Sequence, residues 1–209
     1  MKMGEFRTEQ EQFWAGDFGN DYTGRNRGGL MLAANTALFT KILDRTDNVR
    51  SVIEFGANAG FNLQAIRGLL PEAALSAVEI NRKAVDELGR IDGLKVYHQS
   101  ILDFSPDYAR DLALIKGVLI HINPDSLPQV YDLLYKSSGR YVCIAEYYNP
   151  VPVEVSYRGH EGKLFKRDFA GEMLGRFSDM RLVDYGFSYH LDPNFPQDDI
   201  TWFLLEKHS

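Results

Sequence analysis

The segment Val52-Ile53-Glu54-Phe55-Gly56-Ala57-Asn58-Ala59-Gly60-Phe61 constrains this chain more than any other. A short β-prone run ends in a loop with Gly, Asn and Gly at alternate positions, and a helix-like stretch follows. Gly56 permits the positive φ of a tight turn after a strand, and Gly60 lets a helix start close to a ligand. Asn58 is the non-glycine type that best tolerates a left-handed backbone. A dinucleotide fingerprint needs G-x-G-x-x-G so that the backbone can close on a pyrophosphate. This loop reads G-x-N-x-G, and no phosphate-binding residue follows it.

The rest of the chain repeats the alternation that this segment begins. Strands are expected near 52–55, 74–79, 94–97, 112–116, 140–146, 180–187 and 200–205. Leu63, Ile66 and Leu70 share a helical face that Pro71 ends. Asn81 can cap a helix closed by Gly89. Leu127, Val130, Tyr131 and Leu134 mark an amphipathic helix over 124–137. Such alternation implies a doubly wound α/β sheet with parallel strands and helices on both faces. The last two strands are joined only by Asp192-Pro193-Asn194-Phe195-Pro196-Gln197-Asp198-Asp199, which suits an antiparallel hairpin at the sheet edge. Residues 8–43 read as a separate helical section, split near Gly16–Gly29, expected to pack on the sheet and cover a ligand cleft. The whole chain, 1–209, is expected to be one domain: an N-terminal helical lid section at 1–45 and a Rossmann-like core at 46–209.

Composition narrows the partners. The chain has 209 residues, 44% of them hydrophobic, enough for a substantial core. A formal net charge of −6 argues against nucleic acid or an anionic membrane as the main partner. No uncharged apolar run approaches the roughly 18 residues of a membrane span, and the first ten residues hold no signal-peptide core. The single cysteine, Cys143, sits in the apolar run Tyr141-Val142-Cys143-Ile144-Ala145 and reads as a buried strand thiol, which suits a reduced, cytoplasmic setting. No metal site is expected.

Three acids follow the strands in order. Glu79 lies 79 − 54 = 25 residues after Glu54, at the end of the second strand, where a carboxylate can accept both hydroxyls of a ribose. Asp103, in Ser100-Ile101-Leu102-Asp103-Phe104, falls after the third strand, where a side chain can reach an adenine edge. Singly, each could be a capping or solvated acid. As an ordered set with the loop, residues 51–146 resemble a class I S-adenosylmethionine-dependent methyltransferase. The resemblance implies a seven-stranded sheet with an antiparallel last strand and S-adenosylmethionine as cofactor, held without any phosphate site. It assigns cofactor contacts to Glu54, Gly56, Asn58, Gly60, Glu79, Ile80, Ser100, Ile101, Asp103 and Gly117, with Glu54 near the cationic methionine end. A third glycine is more usual in this family where Asn58 stands.

The acceptor side is expected at the same strand ends. Gly117 to His121 should floor the reacting methyl. His121 is a candidate general base because imidazole titrates near neutrality, although packing would also place a histidine there. Glu146-Tyr147-Tyr148-Asn149-Pro150 offers a carboxylate, phenols and an amide. The stretch from Tyr157 to Asp168 holds Arg158, His160, Lys163, Lys166 and Arg167. Arg158 and Arg167 can grip a carboxylate or phosphate with paired hydrogen bonds, and a solvated charged loop is the alternative. Near the N-terminus, Trp14, Tyr22, Arg25 and Asn26 lie in a glycine-rich aromatic stretch that suits a closing lid.

The pattern Phe13-Trp14-x-Gly16-x-Phe18-Gly19-x-x-Tyr22-x-x-Arg25-Asn26, with Tyr148-Asn149-Pro150 and Tyr157-Arg158-Gly159-His160, resembles the pseudaminic acid biosynthesis-associated methyltransferases. The resemblance implies a small anionic acceptor, a nonulosonic sugar acid or its nucleotide-activated form. Trp14, Tyr22, Arg25, Asn26, Tyr147, Asn149, Tyr157, Arg158, His160 and Arg167 would then bind the acceptor, with His121 or Tyr22 as catalytic base. Rival readings are an NAD-dependent dehydrogenase or epimerase, a non-catalytic binder, and transfer of the sulfonium's aminocarboxypropyl group.

Overall fold

The computed structural model describes residues 6–25 and 29–208. Strand β1 (Ser51–Phe55) is buried from Val52 onward. Side chains alternate across a strand, so Ile53 and Phe55 enter one apolar cluster while Val52 enters the other. Both faces of the sheet are covered, and that is why the run reads as nearly continuous apolar sequence.

Helices α1 (Glu9–Ala15), α2 (Asp17–Arg25) and α3 (Gly29–Leu43) precede β1. After it come α4 (Phe61–Leu69), β2 (Ala74–Glu79), α5 (Arg82–Leu88), β3 (Leu94–His98) and β4 (Arg110–Lys116). Helix α6 (Leu127–Ser137), β5 (Ser138–Glu146), β6 (Val153–Glu154), β7 (Phe165–Lys166), α7 (Phe169–Arg176), β8 (Met180–Ser188) and β9 (Ile200–Lys207) complete the chain. Asn81 caps α5 as expected, accepting from the Ala84 amide at 3.0 Å. The expected helix over 124–137 starts late. Residues Pro124–Ser126 form a 3₁₀ turn in which Asn123 Oδ1 holds the Asp125 amide, and α6 begins only at Leu127.

The seven-stranded sheet has the order β3-β2-β1-β4-β5-β9-β8. The first five of these pair parallel. Strand β9 runs antiparallel to both β5 and β8, so the last strand in sequence lies inside the sheet and β8 forms the edge. A separate two-stranded ribbon pairs β6 with β7, and β7 falls inside the charged stretch from Tyr157 to Asp168. Cys143 is fully buried in β5, and burial pushes its thiol up to about 12, which makes it inert at neutral pH. Among the described residues, no helix is long and apolar enough to cross a membrane.

Chain order reverses between β1 and β4, which opens a crevice at the carboxyl ends of those strands. The first two helices lie across it. Asn81 Nδ2 donates to the Trp14 carbonyl at 3.1 Å, Lys83 Nζ to the Asn20 carbonyl at 3.0 Å, and Thr23 Oγ1 to Asn58 Oδ1 at 3.0 Å. Helix α1 is short but closed by a capping box, in which Thr8 and Glu11 hold each other's amides.

A Cβ on Gly19 would fall 1.9 Å from the Trp14 carbonyl oxygen and 2.9 Å from Asn81 Nδ2. Gly19→Ala should therefore push α1 and α2 off the sheet end at a cost of about 1–3 kcal/mol. A thermal melt should show Tm lowered by roughly 2–12 °C, with faster tryptic cleavage in the first two helices. Unchanged melting and cleavage would show that this contact does not hold them.

Candidate functional site

The crevice is a cavity of about 550 Å³, within the range of small-molecule sites. Its walls come from the loop after β1, the ends of β2 and β4, the turn after β3, and helices α1 to α3. The β8–β9 linker adds Pro196, Gln197 and Asp198.

At the loop, Gly56 has φ +72° and packs so tightly that a Cβ would lie 2.6 Å from Val118 Cγ2. Asn58 takes φ +48°, the left-handed conformation expected of it. Gly60, at φ +80°, starts α4 but faces Ile91 and Leu88 rather than the cavity, which its neighbours Ala59 and Phe61 line instead. Glu79 lines the cavity with its carboxylate pinned at both oxygens. Oε2 accepts the Asn58 amide at 2.8 Å and Oε1 the Asn81 amide at 2.7 Å. Each oxygen keeps a lone pair for a ligand hydroxyl. Burial raises the Glu79 pKa, and the amides pull it back down. Ile80 lines the cavity beside it.

Glu54 lies beneath the loop, fully buried and outside the lining. Asn62 Nδ2 donates to its Oε1 at 2.6 Å, and its Oε2 is buried without a protein partner. Burial pushes Glu54 up to about 8. Beyond β3, Ser100 and Ile101 line the cavity, and Ser100 Oγ bonds Glu11 of α1. Asp103 does not line it. The turn at Ser100, with the amides of Asp103 and Phe104 both on the Ser100 carbonyl, leaves the Asp103 carboxylate paired with Arg7 at 2.5 Å.

The other half of the cavity is aromatic. Trp14, Tyr22, Tyr147, Tyr157 and His121 line it together with Gly117. The Trp14 ring lies 5.3 Å from Tyr22 and 4.6 Å from His121, and His121 lies 4.8 Å from Tyr157. His121 is buried, with Nδ1 on the Lys163 carbonyl at 2.6 Å. Glu146 anchors the turn that carries His121, its Oε1 accepting the amides of Val118 and Leu119 at 2.9 Å each. Burial lifts Glu146 to about 7.

The basic groups read for anion binding stand elsewhere. Arg167 donates to Glu172 at 2.6 Å, and Arg158 is exposed with its guanidinium 5.7 Å from the Tyr157 ring centre. His160 is exposed against Phe13 and Phe18, and Asn149 bonds the Val151 carbonyl. None of these four lines the cavity. Arg25 is described only through its backbone at the end of α2, and Asn26 lies outside the described residues. The lysine or arginine that does line the cavity, among the described residues, is Lys116. Sequence reasoning passed over it, although it ends an apolar strand just as Glu79 does. Asn35 and Gln197, joined at 3.0 Å, and Asp198 also line the cavity. Nothing in their local sequence marks them.

No protein-family model matches the chain, and no curated protein matches it in sequence. Solved structures do match. The plantazolicin methyltransferase BpumL, in complex with a pentazolic desmethylPZN analog and S-adenosylhomocysteine, is similar over 95% of each chain, with TM-score 0.65 and 16% identity. The 1,6-didemethyltoxoflavin-N1-methyltransferase of Burkholderia thailandensis, with 1,6-didemethyltoxoflavin and S-adenosylhomocysteine bound, gives TM-score 0.68 and 12% identity over 96% of this chain and 87% of that one. The mitomycin 7-O-methyltransferase MmcR gives TM-score 0.63 and 14% identity over 96% of this chain and 61% of that one. The chain thus has the seven-stranded, Rossmann-like fold of these methyltransferases, with the antiparallel strand in place.

Proposed function

We propose that the cavity binds S-adenosylmethionine and that the protein transfers its methyl group to a small molecule. The observation that carries this reading is Glu79, a buried carboxylate at the end of β2 that lines the cavity while two backbone amides hold it still. That arrangement suits the two hydroxyls of a ribose. The electrostatics favour a cationic cofactor over a dinucleotide. Glu79 and Asp198 line the cavity and Glu54 lies under its loop, against Lys116 alone among the lysines and arginines of the described residues. A pyrophosphate would meet mostly acids there, whereas a sulfonium is the charge they prefer. When bound, S-adenosylmethionine supplies a methyl activated by its sulfonium. Ile80, Ser100 and Ile101 would face the adenine, and Gly56, Asn58 and Gly117 the rest of the cofactor.

His121 orients rather than titrates. Burial pushes it down to about 4, so the imidazole is neutral throughout the physiological range and does not switch charge near pH 7. With Nδ1 on a carbonyl, Nε2 carries the lone pair and has no partner among the described residues. It can accept a hydrogen bond from an acceptor O–H or N–H and aim that atom at the methyl, but it is a weak base. Tyr22 stands on the same aromatic wall as the second candidate.

The finer reading is a nonulosonic sugar acid, supported by the resemblance of the segments around 13–26 and 147–160. Trp14, Tyr22, Tyr147 and Tyr157 suit the apolar face of a sugar ring. With Arg158 and Arg167 outside the lining, the free acid fits better than a nucleotide-activated form, whose phosphates would need more cations.

Calorimetry should show binding of S-adenosylhomocysteine and none of NAD. Glu79→Ala should weaken S-adenosylhomocysteine by about 10-fold or more, the worth of hydrogen bonds to a charged group. Equal affinity in that variant would remove the ribose assignment. With a panel of sugar acids, mass spectrometry should find an acceptor heavier by one methylene. A gain matching an aminocarboxypropyl group would change the reaction assigned, and no product with any acceptor would favour a non-catalytic binder. Labelled-histidine NMR should find His121 neutral from pH 8 down to about 5; a midpoint near 6.5 would restore it as a titrating base.

A further inference from the structure

Helix α1 brings two orphan polar atoms to the aromatic half of the cavity, and the cofactor contacts above use neither. Gln10 and Trp14 are four residues apart, share one face of the helix and both line the cavity. Gln10 is 8% exposed, and its Nε2 donates to the Gly162 carbonyl at 2.9 Å. That bond settles which way the amide points, because a carbonyl can face only its nitrogen. Gln10 Oε1 is left buried without a partner among the described residues, and so is the indole Nε1 of Trp14. The adjacent residue, Lys163, holds His121 Nδ1 on its carbonyl at 2.6 Å, which leaves Nε2 as a second unfilled acceptor. Gln10 and His121 are thus tethered to neighbouring residues, and the Trp14 ring centre lies 4.6 Å from that of His121. Glu11 turns the other way, to Ser100 at the adenine end.

We infer that Gln10 Oε1 and His121 Nε2 receive the two hydrogens of a primary amine whose nitrogen takes the methyl, while Trp14 Nε1 donates to an oxygen beside it. The inference rests on the methyl transfer proposed above and names the acceptor's chemistry: an amine flanked by an oxygen, as in an amino sugar. A hydroxyl has one hydrogen and would leave one of the two acceptors unfilled. It would also need a base, and the neutral imidazole is a weak one. An amine needs none. Its lone pair forms the C–N bond, the C–S pair passes to sulfur, and the sulfonium becomes a thioether. The new ammonium keeps its two hydrogens on Gln10 and His121 until the product leaves and one proton passes to water. Gln10 and His121 carry no charge, and burial favours the uncharged, nucleophilic form of the amine.

The probes are the methyl glycoside of neuraminic acid and glucosamine, each an amine next to a hydroxyl, with their N-acetyl forms as controls. An N-acetyl nitrogen has one hydrogen and no nucleophilic lone pair. With S-adenosylmethionine, mass spectrometry should find a methyl on the nitrogen of at least one free amine, with its N-acetyl form slower by about 100-fold or more. Gln10→Leu and His121→Phe should each raise KM for that amine by about 10-fold or more and hold S-adenosylhomocysteine affinity within about 2-fold. A methyl on oxygen, N-acetyl forms that react equally fast, or no free amine methylated by protein that binds S-adenosylhomocysteine would each overturn the inference. An amine KM unchanged in both variants would do the same. Variants that weaken S-adenosylhomocysteine as much as the amine would place the pair on the cofactor's own amino group or show a damaged fold, and would also overturn it. Wild type that binds no S-adenosylhomocysteine would bring down the proposed function and this inference with it, an outcome separate from all the others.

Discussion

The carboxylate of Glu79 is the joint on which the ligand edge of this protein is assembled. One oxygen holds the Asn58 amide, tying the β1 loop to the end of β2. The other holds the Asn81 amide, which sets the residue that caps α5. The Asn81 side chain then donates to the Trp14 carbonyl and to Asn20 Oδ1, so the first two helices are anchored through the same point. Hydrogen bonds to a charged group contribute about 1.5–3 kcal/mol each. The groups that would read a ribose are therefore the groups that fix the loop and the covering helices.

Concentrating acids here has a cost that the fold bears. Burial raises Glu54, Glu79 and Glu146 above the ordinary carboxylate range. For Glu54, with its folded-state value near 8 against an ordinary 4.5, the sign follows directly. Its neutral form contributes stability that is fully present below the unfolded value and is lost as pH rises through the folded one. A cation arriving in the cavity reverses that preference. Acids whose burial weakens the fold at neutral pH are the ones a sulfonium or an ammonium would favour in their ionised form.

Much of this was legible. The strand positions, the loop conformation at Asn58, the cap at Asn81 and the antiparallel pairing of the last strands all follow from local chemistry, because turns and caps are decided within a few residues. The capping box at Thr8-Glu9-Gln10-Glu11 was equally readable, though only the fold shows that it seats α1 over the cavity. The acceptor side was less so. Arg158 and Arg167 are the residue types that bind anions, but Glu172, four residues beyond α7's N-cap, takes one and solvent takes the other. Asp103 is an acid in the expected place whose side chain meets Arg7, 96 positions earlier in the chain.

Local sequence by itself determined the sheet, its loop and the ordered acids, since alternation, glycine spacing and strand-end polarity are properties of neighbouring residues. Tertiary structure decided which charges face the ligand. Lys116, Asn62 and Asp198 come together from a strand end, a helix start and a distant linker. Whether an ionisable side chain binds a ligand depends on which partner reaches it first, and those partners lie far away in sequence. Burial decided the character of His121 in the same way: a residue type that titrates near neutrality became a neutral hydrogen-bond acceptor because the packed aromatic wall excludes water from it.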